Sequence, residues 1–153
     1  MSAEDNAKIV TEITEKLLTL LNVKGKVAVQ ETDEVVEVNI ESEESGALIG
    51  FHGKILSALE LILNVSTGKK TGQWKRAIIN VGDYRQRQEE SLKKMALKAA
   101  ERARFLKESV TLSPMSPAER RIVHLTLKET TDMTTESIGE GEARRVVVRL
   151  KEG

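Results

Sequence analysis

The sequence contains no cysteine. A disulfide framework and a thiolate metal site are therefore excluded, and two histidines, His52 and His124, cannot build a zinc centre without carboxylate help. Aromatic residues are almost as scarce: one Trp, one Tyr and two Phe make up 3% of 153 residues. A platform that stacks several bases needs more rings than that, so any grip on nucleic acid must lean on backbone and charge. No apolar run approaches the roughly 18 residues of a membrane span, and "MSAEDNAKIV" lacks the basic stretch and apolar core of a secretory leader. The expectation is a soluble, intracellular protein that makes no use of a membrane, a metal or a cofactor. With 39% apolar residues the chain can bury one ordinary core or two small ones.

Charge is balanced in total, 24 Lys and Arg against 24 Asp and Glu, yet unevenly placed. Residues 1–50 hold 4 basic and 11 acidic side chains, whereas residues 51–153 hold 20 and 13. The basic portion begins at a glycine-containing stretch, "LIGFHGKIL", where a footprint for phosphates belongs if that stretch binds them. Solubilising helix faces would explain the same charges.

Periodicity organises the chain. Ile9, Ile13, Leu17 and Leu20, widened by Val10, Leu18 and Leu21, predict an amphipathic helix over 5–21. "KVAVQ" and "EVVEVNIE" predict two strands joined by the turn "ETDE", with Val36, Val38 and Ile40 on one face. A short helix from Ser45 breaks at Gly50–Gly53 and resumes with Ile55, Leu56, Leu59, Ile62 and Leu63 on one face. "STGKKTGQWK" reads as a basic loop and "RAIINV" as a third strand. Residues 84–109 predict a long basic helix with Leu92, Ala96, Ala99, Ala103 and Leu106 along one side. "LSPMSPAER" starts a further helix, with Ser116 as cap, Pro117 in the first position and Glu119 completing a capping box. "TTESI", the turn "GEGE" and "RRVVVRL" follow. The reading is an α+β protein of two small modules, residues 1–82 and residues 83–153, the second including the basic helix.

Two constellations carry chemistry. Gly50 and Gly53 let the backbone turn sharply and approach a sugar-phosphate chain, the following helix offers N–H groups at its positive end, and Lys54 adds charge. Between the glycines stand Phe51 and His52; Phe51 fits a base, a protein partner or a plain exposed turn. In "ERRIVH", Arg120 and His124 stand one helical turn apart and project from one face, Lys128 extends that row, and Arg121 lies beside it. Ala118, Ile122 and Leu125 are expected to anchor the opposite side. Arginine can take phosphate in bidentate fashion, and histidine can donate to phosphate or stack on a base.

The element order α, β, β, α, Gly-x-x-Gly, α, β resembles a type II KH domain, which implies that the glycine loop joins two helices flanking a nucleic-acid groove. KH loops commonly carry basic residues between the glycines, and Phe51 and His52 depart from that. Arg-x-x-x-His near a helix start resembles the R-three-H domain, a single-stranded nucleic-acid-binding module. Their succession, with "GDYRQRQEESLKKMALKAAERA" between them, resembles the bacterial Jag (KhpB, EloR) family over roughly residues 24–150. Many members carry a further N-terminal Jag_N domain, whereas this sequence starts with the helix before the KH strands. The resemblance implies non-catalytic binding of single-stranded RNA, with single-stranded DNA as the related ligand. It also implies a cytoplasmic post-transcriptional regulator linked to cell elongation and division, and pairing with a small single-KH protein or a second copy.

Rival classes leave weaker traces. Neither histidine has a nearby Ser, Cys or carboxylate pair in a recognisable catalytic arrangement. In "STGKKTG", Lys70 stands where a P-loop requires Ser or Thr. An adaptor that pairs with another KH protein and binds RNA only weakly is the alternative.

Overall fold

A computed structural model describes residues 2–152. The chain forms two compact units, one running to Arg85 and the other beginning at Gln86.

In the first unit, α1 (Ala3–Leu20) opens on Ser2, whose Oγ accepts from the Asp5 N–H while the Asp5 carboxylate accepts from the Ser2 N–H. Its buried face is Asn6, Val10, Thr14 and Leu18, with Ile13 and Leu17 at the margin. This face is rotated from the expected stripe: Leu20 is 74% exposed and Leu21 is exposed too. Two polar residues hide the true face. Thr14 can be buried because its hydroxyl donates to the Val10 carbonyl (2.8 Å), and Asn6 Nδ2 donates to Gln73 Oε1 (3.0 Å).

Strands β1 (Lys26–Glu31) and β2 (Val35–Glu41) pair antiparallel. Strand β3 (Arg76–Val81) lies parallel to β2, with Val38 opposite Ile79, giving the sheet order β1-β2-β3. A parallel pair demands a long crossover, and here it consists of α2 (Ser45–Ile49), a 3₁₀ turn over Phe51–Gly53, and α3 (Lys54–Thr71). Val36, Val38 and Ile40 are buried as the alternation required.

Helix α3 corrects two expectations. Its core side is Leu56, Leu59, Leu63 and Thr67, leaving Ile55 and Ile62 exposed. It also runs through most of the segment read as a basic loop, so only residues 72–75 connect it to β3. Gly68 lies within the helix and makes room for the Trp74 ring, since a Cβ there would come within 2.3 Å of ring carbon. Gly72 ends the helix instead, at φ 72°, with its N–H donating to the Gly68 carbonyl (2.9 Å). By length and composition alone the helical run Ser45–Thr71 could cross a membrane. It is broken at Gly50–Gly53, and Leu56, Leu59 and Leu63 belong to the core.

Helix α4 (Tyr84–Leu106) begins in the last residues of the first unit, and its part in the second buries Leu92, Ala96, Ala99, Ala100 and Ala103, while Leu106 is exposed. It stops short of residue 109, because Lys107 adopts φ 55° and turns the chain into a short strand β4 (Val110–Thr111) that periodicity did not reveal. Helix α5 (Pro117–Lys128) begins at Ser116, whose Oγ accepts from the Glu119 N–H at 3.2 Å. The Glu119 carboxylate, expected to complete a capping box, is buried and accepts from Gln88 Nε2 (3.0 Å). Strands β5 (Met133–Ile138) and β6 (Arg145–Leu150) pair antiparallel in the sheet β4-β6-β5. The α4 alanines pack with Val123, Leu127, Met133, Val146 and Val148. The core face of α5 is thus Glu119, Val123 and Leu127; Ala118 and Leu125, expected as anchors, are exposed and Ile122 is half-buried.

Candidate nucleic-acid interface

The glycine loop is a closed turn. The Gly53 N–H donates to the Gly50 carbonyl (3.3 Å) and the Lys54 N–H to that of Phe51, so two N–H groups at the head of α3 are already satisfied. Gly50 and Gly53 adopt φ of 70° and 74°, and His52 between them is left-handed as well, at φ 54°. The glycines have intramolecular reasons besides. A Cβ at Gly50 would strike Ile55 at 2.6 Å, and one at Gly53 would press on the Tyr84 hydroxyl at 3.2 Å. This packing pushes the side chains of the middle pair outward: Phe51 is 76% exposed and His52 exposed, their rings edge to face with centroids 4.2 Å apart. Lys54 is exposed beside them. What the loop offers a ligand is an aromatic pair in a fixed turn with one adjacent cation.

The second site is assembled by α5 and β5. His124 is half-buried, its Nδ1 2.6 Å from Thr135 Oγ1 and its Nε2 2.9 Å from Ser137 Oγ. Burial, and then the positive charge of Arg120 one turn away, push the imidazole below its ordinary value, so the ring is neutral at physiological pH. Arg120 is half-buried and its guanidinium has no hydrogen bond or ion pair among the described residues. Five other arginines are engaged: Arg85 binds Glu60, Arg104 binds Asp132, Arg149 binds Glu136, and half-buried Arg144 and Arg145 donate to backbone carbonyls; Arg76, Arg102 and Arg121, which lack such partners among the described residues, are exposed to solvent. Arg121 and Lys128 are exposed on the same helix. A partly desolvated, uncompensated cation is unfavourable without an anion, and a neutral histidine beside it supplies none.

The structure brings Arg120 and His124 together as their spacing required, and gathers Gly50 to Lys54 into one turn. What sequence reasoning missed is Thr135 and Ser137. Strand alternation places both on the face of Met133, towards the core side, so a signal existed in "MTTESI"; nothing in the sequence paired them with His124.

Fold and site together define the class: a KH domain followed by an R-three-H domain. The profile of the KhpA/KhpB KH domain matches residues 7–81 and that of the R-three-H domain residues 90–150. The chain belongs to the KhpB (Jag) family, whose members join these two domains. It is 32% identical over 142 residues to "RNA-binding protein KhpB" of Clostridium symbiosum, covering 92% of this chain and 64% of the relative. To the Bacillus subtilis protein of the same name it is 35% identical over 130 residues, covering 84% and 62%. To that of Streptococcus pneumoniae serotype 2 it is 30% identical over 147 residues, covering 94% and 45%. The chain thus spans between about half and two thirds of the length of these relatives.

Proposed function

We propose that the protein binds single-stranded RNA without transforming it, as a cytoplasmic post-transcriptional regulator connected with cell elongation and division. The observation that carries the binding reading is Arg120: a half-buried guanidinium without an anionic partner among the described residues, beside an uncharged histidine. Relatives named as RNA-binding proteins support it. In this reading a phosphate of the strand neutralises Arg120, with Arg121 and Lys128 adding looser charge, while the Gly50 to Gly53 turn and Lys54 follow backbone in the KH groove and Phe51 stacks on a base. The modules divide near Gly82, the basic helix belonging with the second. Two weak sites on one chain reinforce each other, because engaging one raises the effective concentration of the other.

Arg120→Ala tests this directly. Binding to single-stranded oligonucleotides of several sequences should weaken about equally, and the dependence of log affinity on log salt should flatten by roughly 0.7 for the lost phosphate. A loss confined to one base position would assign Arg120 to base readout, and no measurable binding by the unsubstituted protein at low salt would defeat the proposal.

A second reading rests on α3. Ile55, Leu61, Ile62 and Val65 are exposed on it, and Trp74, exposed to 70%, covers Gly68 at its end. Such a contiguous apolar surface marks a protein contact. It supports pairing of the KH module with a second copy or a small single-KH protein.

A further inference from the structure

Neither ring nitrogen of His124 is left to donate to a phosphate, because both are taken by hydroxyls of β5, at 2.6 Å and 2.9 Å. A neutral imidazole carries one N–H and one bare nitrogen. The hydroxyl at the bare nitrogen gives its proton to the ring. The hydroxyl at the N–H accepts, and retains its own proton for a third group. Neither Thr135 nor Ser137 has another side-chain hydrogen bond among the described residues. Whichever tautomer holds, one O–H therefore remains for an outside acceptor. The acidic neighbours offer none: Glu136 alternates to the other face of β5 and binds Arg149, and Glu119 binds Gln88.

We infer that a phosphodiester oxygen of bound single-stranded RNA takes this hydroxyl proton, with Thr135 and Ser137 as the contacting residues, Arg120 as the charge, and His124 as a positioning residue. The inference rests on the RNA-binding reading and adds to it. A histidine in this role fixes two hydroxyls at a set spacing along β5 and leaves their protons oriented by its own tautomer. The contact is directional and uncharged, so it sharpens the placement of the phosphate that Arg120 attracts from a distance.

The charge difference supplies the test. Thr135→Val with Ser137→Ala removes both hydroxyls at nearly constant shape; affinity of the full chain for labelled oligouridylate should fall roughly ten-fold, with the salt slope unchanged. Thr135→Ser and Ser137→Thr keep the hydroxyls and should bind within about two-fold. His124→Gln should also weaken binding with the slope unchanged, whereas a slope reduced by roughly 0.7 would make His124 a cationic phosphate contact and overturn its positioning role. In the unsubstituted protein, ring-nitrogen NMR shifts of His124 with RNA bound at about pH 7.5 should remain those of a neutral ring; an imidazolium pattern would overturn the same role even if the variants fold poorly. Unimpaired binding by the double variant, alongside weakened binding by Arg120→Ala, would refute the hydroxyl contact while leaving the RNA-binding reading intact. Absence of binding by the unsubstituted chain would refute both.

Discussion

At the scale of single residues, His124 makes the second unit sensitive to mild acid. Its folded-state value is held below the ordinary one by burial and then by Arg120, so on acidification the unfolded chain takes up a proton before the folded chain does. Stability from this group is fully present above about 6.5 and declines as pH falls from there towards the folded-state value. Thermal melting followed by circular dichroism should show a midpoint that drops between about pH 7 and pH 5.5, and His124→Gln should flatten that drop; an identical drop in the variant would show that other groups cause it. Asp132 acts in a separate window. The Arg104 guanidinium, bonded through Nε (2.5 Å) and Nη2 (2.9 Å), holds its carboxyl below the carboxylate range. Its contribution is present above about 3.9 and is lost only as pH falls below that. The same pair shows why charge counting overstates the basic helix: Arg104 is engaged with a partner, whereas half-buried Arg120 has none among the described residues.

At the scale of elements, α3 carries the most consequence for the first unit. Leu63 is fully buried at the centre of its core side, and Leu63→Ala should cost about 2–5 kcal/mol in urea unfolding, with the midpoint shifted and the slope preserved. Gly68→Ala separates two opposing effects. The helix gains roughly 1 kcal/mol of propensity, but the new Cβ displaces the Trp74 ring. Trp74 is the single tryptophan of the chain, so its fluorescence reports the event: emission should shift to longer wavelength and anisotropy fall, with stability changed by no more than about 1 kcal/mol. Unchanged emission would mean that the ring does not rest on Gly68. The end of α3 is concealed in the sequence for a definable reason. Gly68 and Gly72 look alike in sequence, and only the tertiary contact with Trp74 distinguishes a helical glycine from a terminating one.

At the scale of the whole molecule, an acidic first third and a basic remainder belong to a chain of two compact units. If RNA binding and KH pairing use different surfaces, they should separate by mutation. Leu61→Glu, placed in the middle of the exposed α3 face where Leu61 is 65% exposed, should lower self-association or pairing measured by sedimentation velocity. RNA affinity per chain should stay within about two-fold, as expected of a surface change away from the contact. Loss of RNA binding in step with pairing would instead make the paired form the binding species.

The sequence by itself determined the succession of elements apart from β4, the mixed β1-β2-β3 sheet's alternation, the Gly50 to Gly53 turn and the one-turn spacing of Arg120 and His124. These are local properties: period, capping and turn chemistry act over a few residues and are written in order along the chain. Tertiary structure decided which side of α1 and α5 is core, because Asn6 and Glu119 are buried by hydrogen bonds to Gln73 and Gln88, groups that local pattern does not register. It also decided what His124 does. Thr135 and Ser137 lie 11 and 13 residues away in sequence, and only the docking of α5 on β5 closes that separation and turns a histidine read as a ligand contact into one enclosed by two hydroxyls.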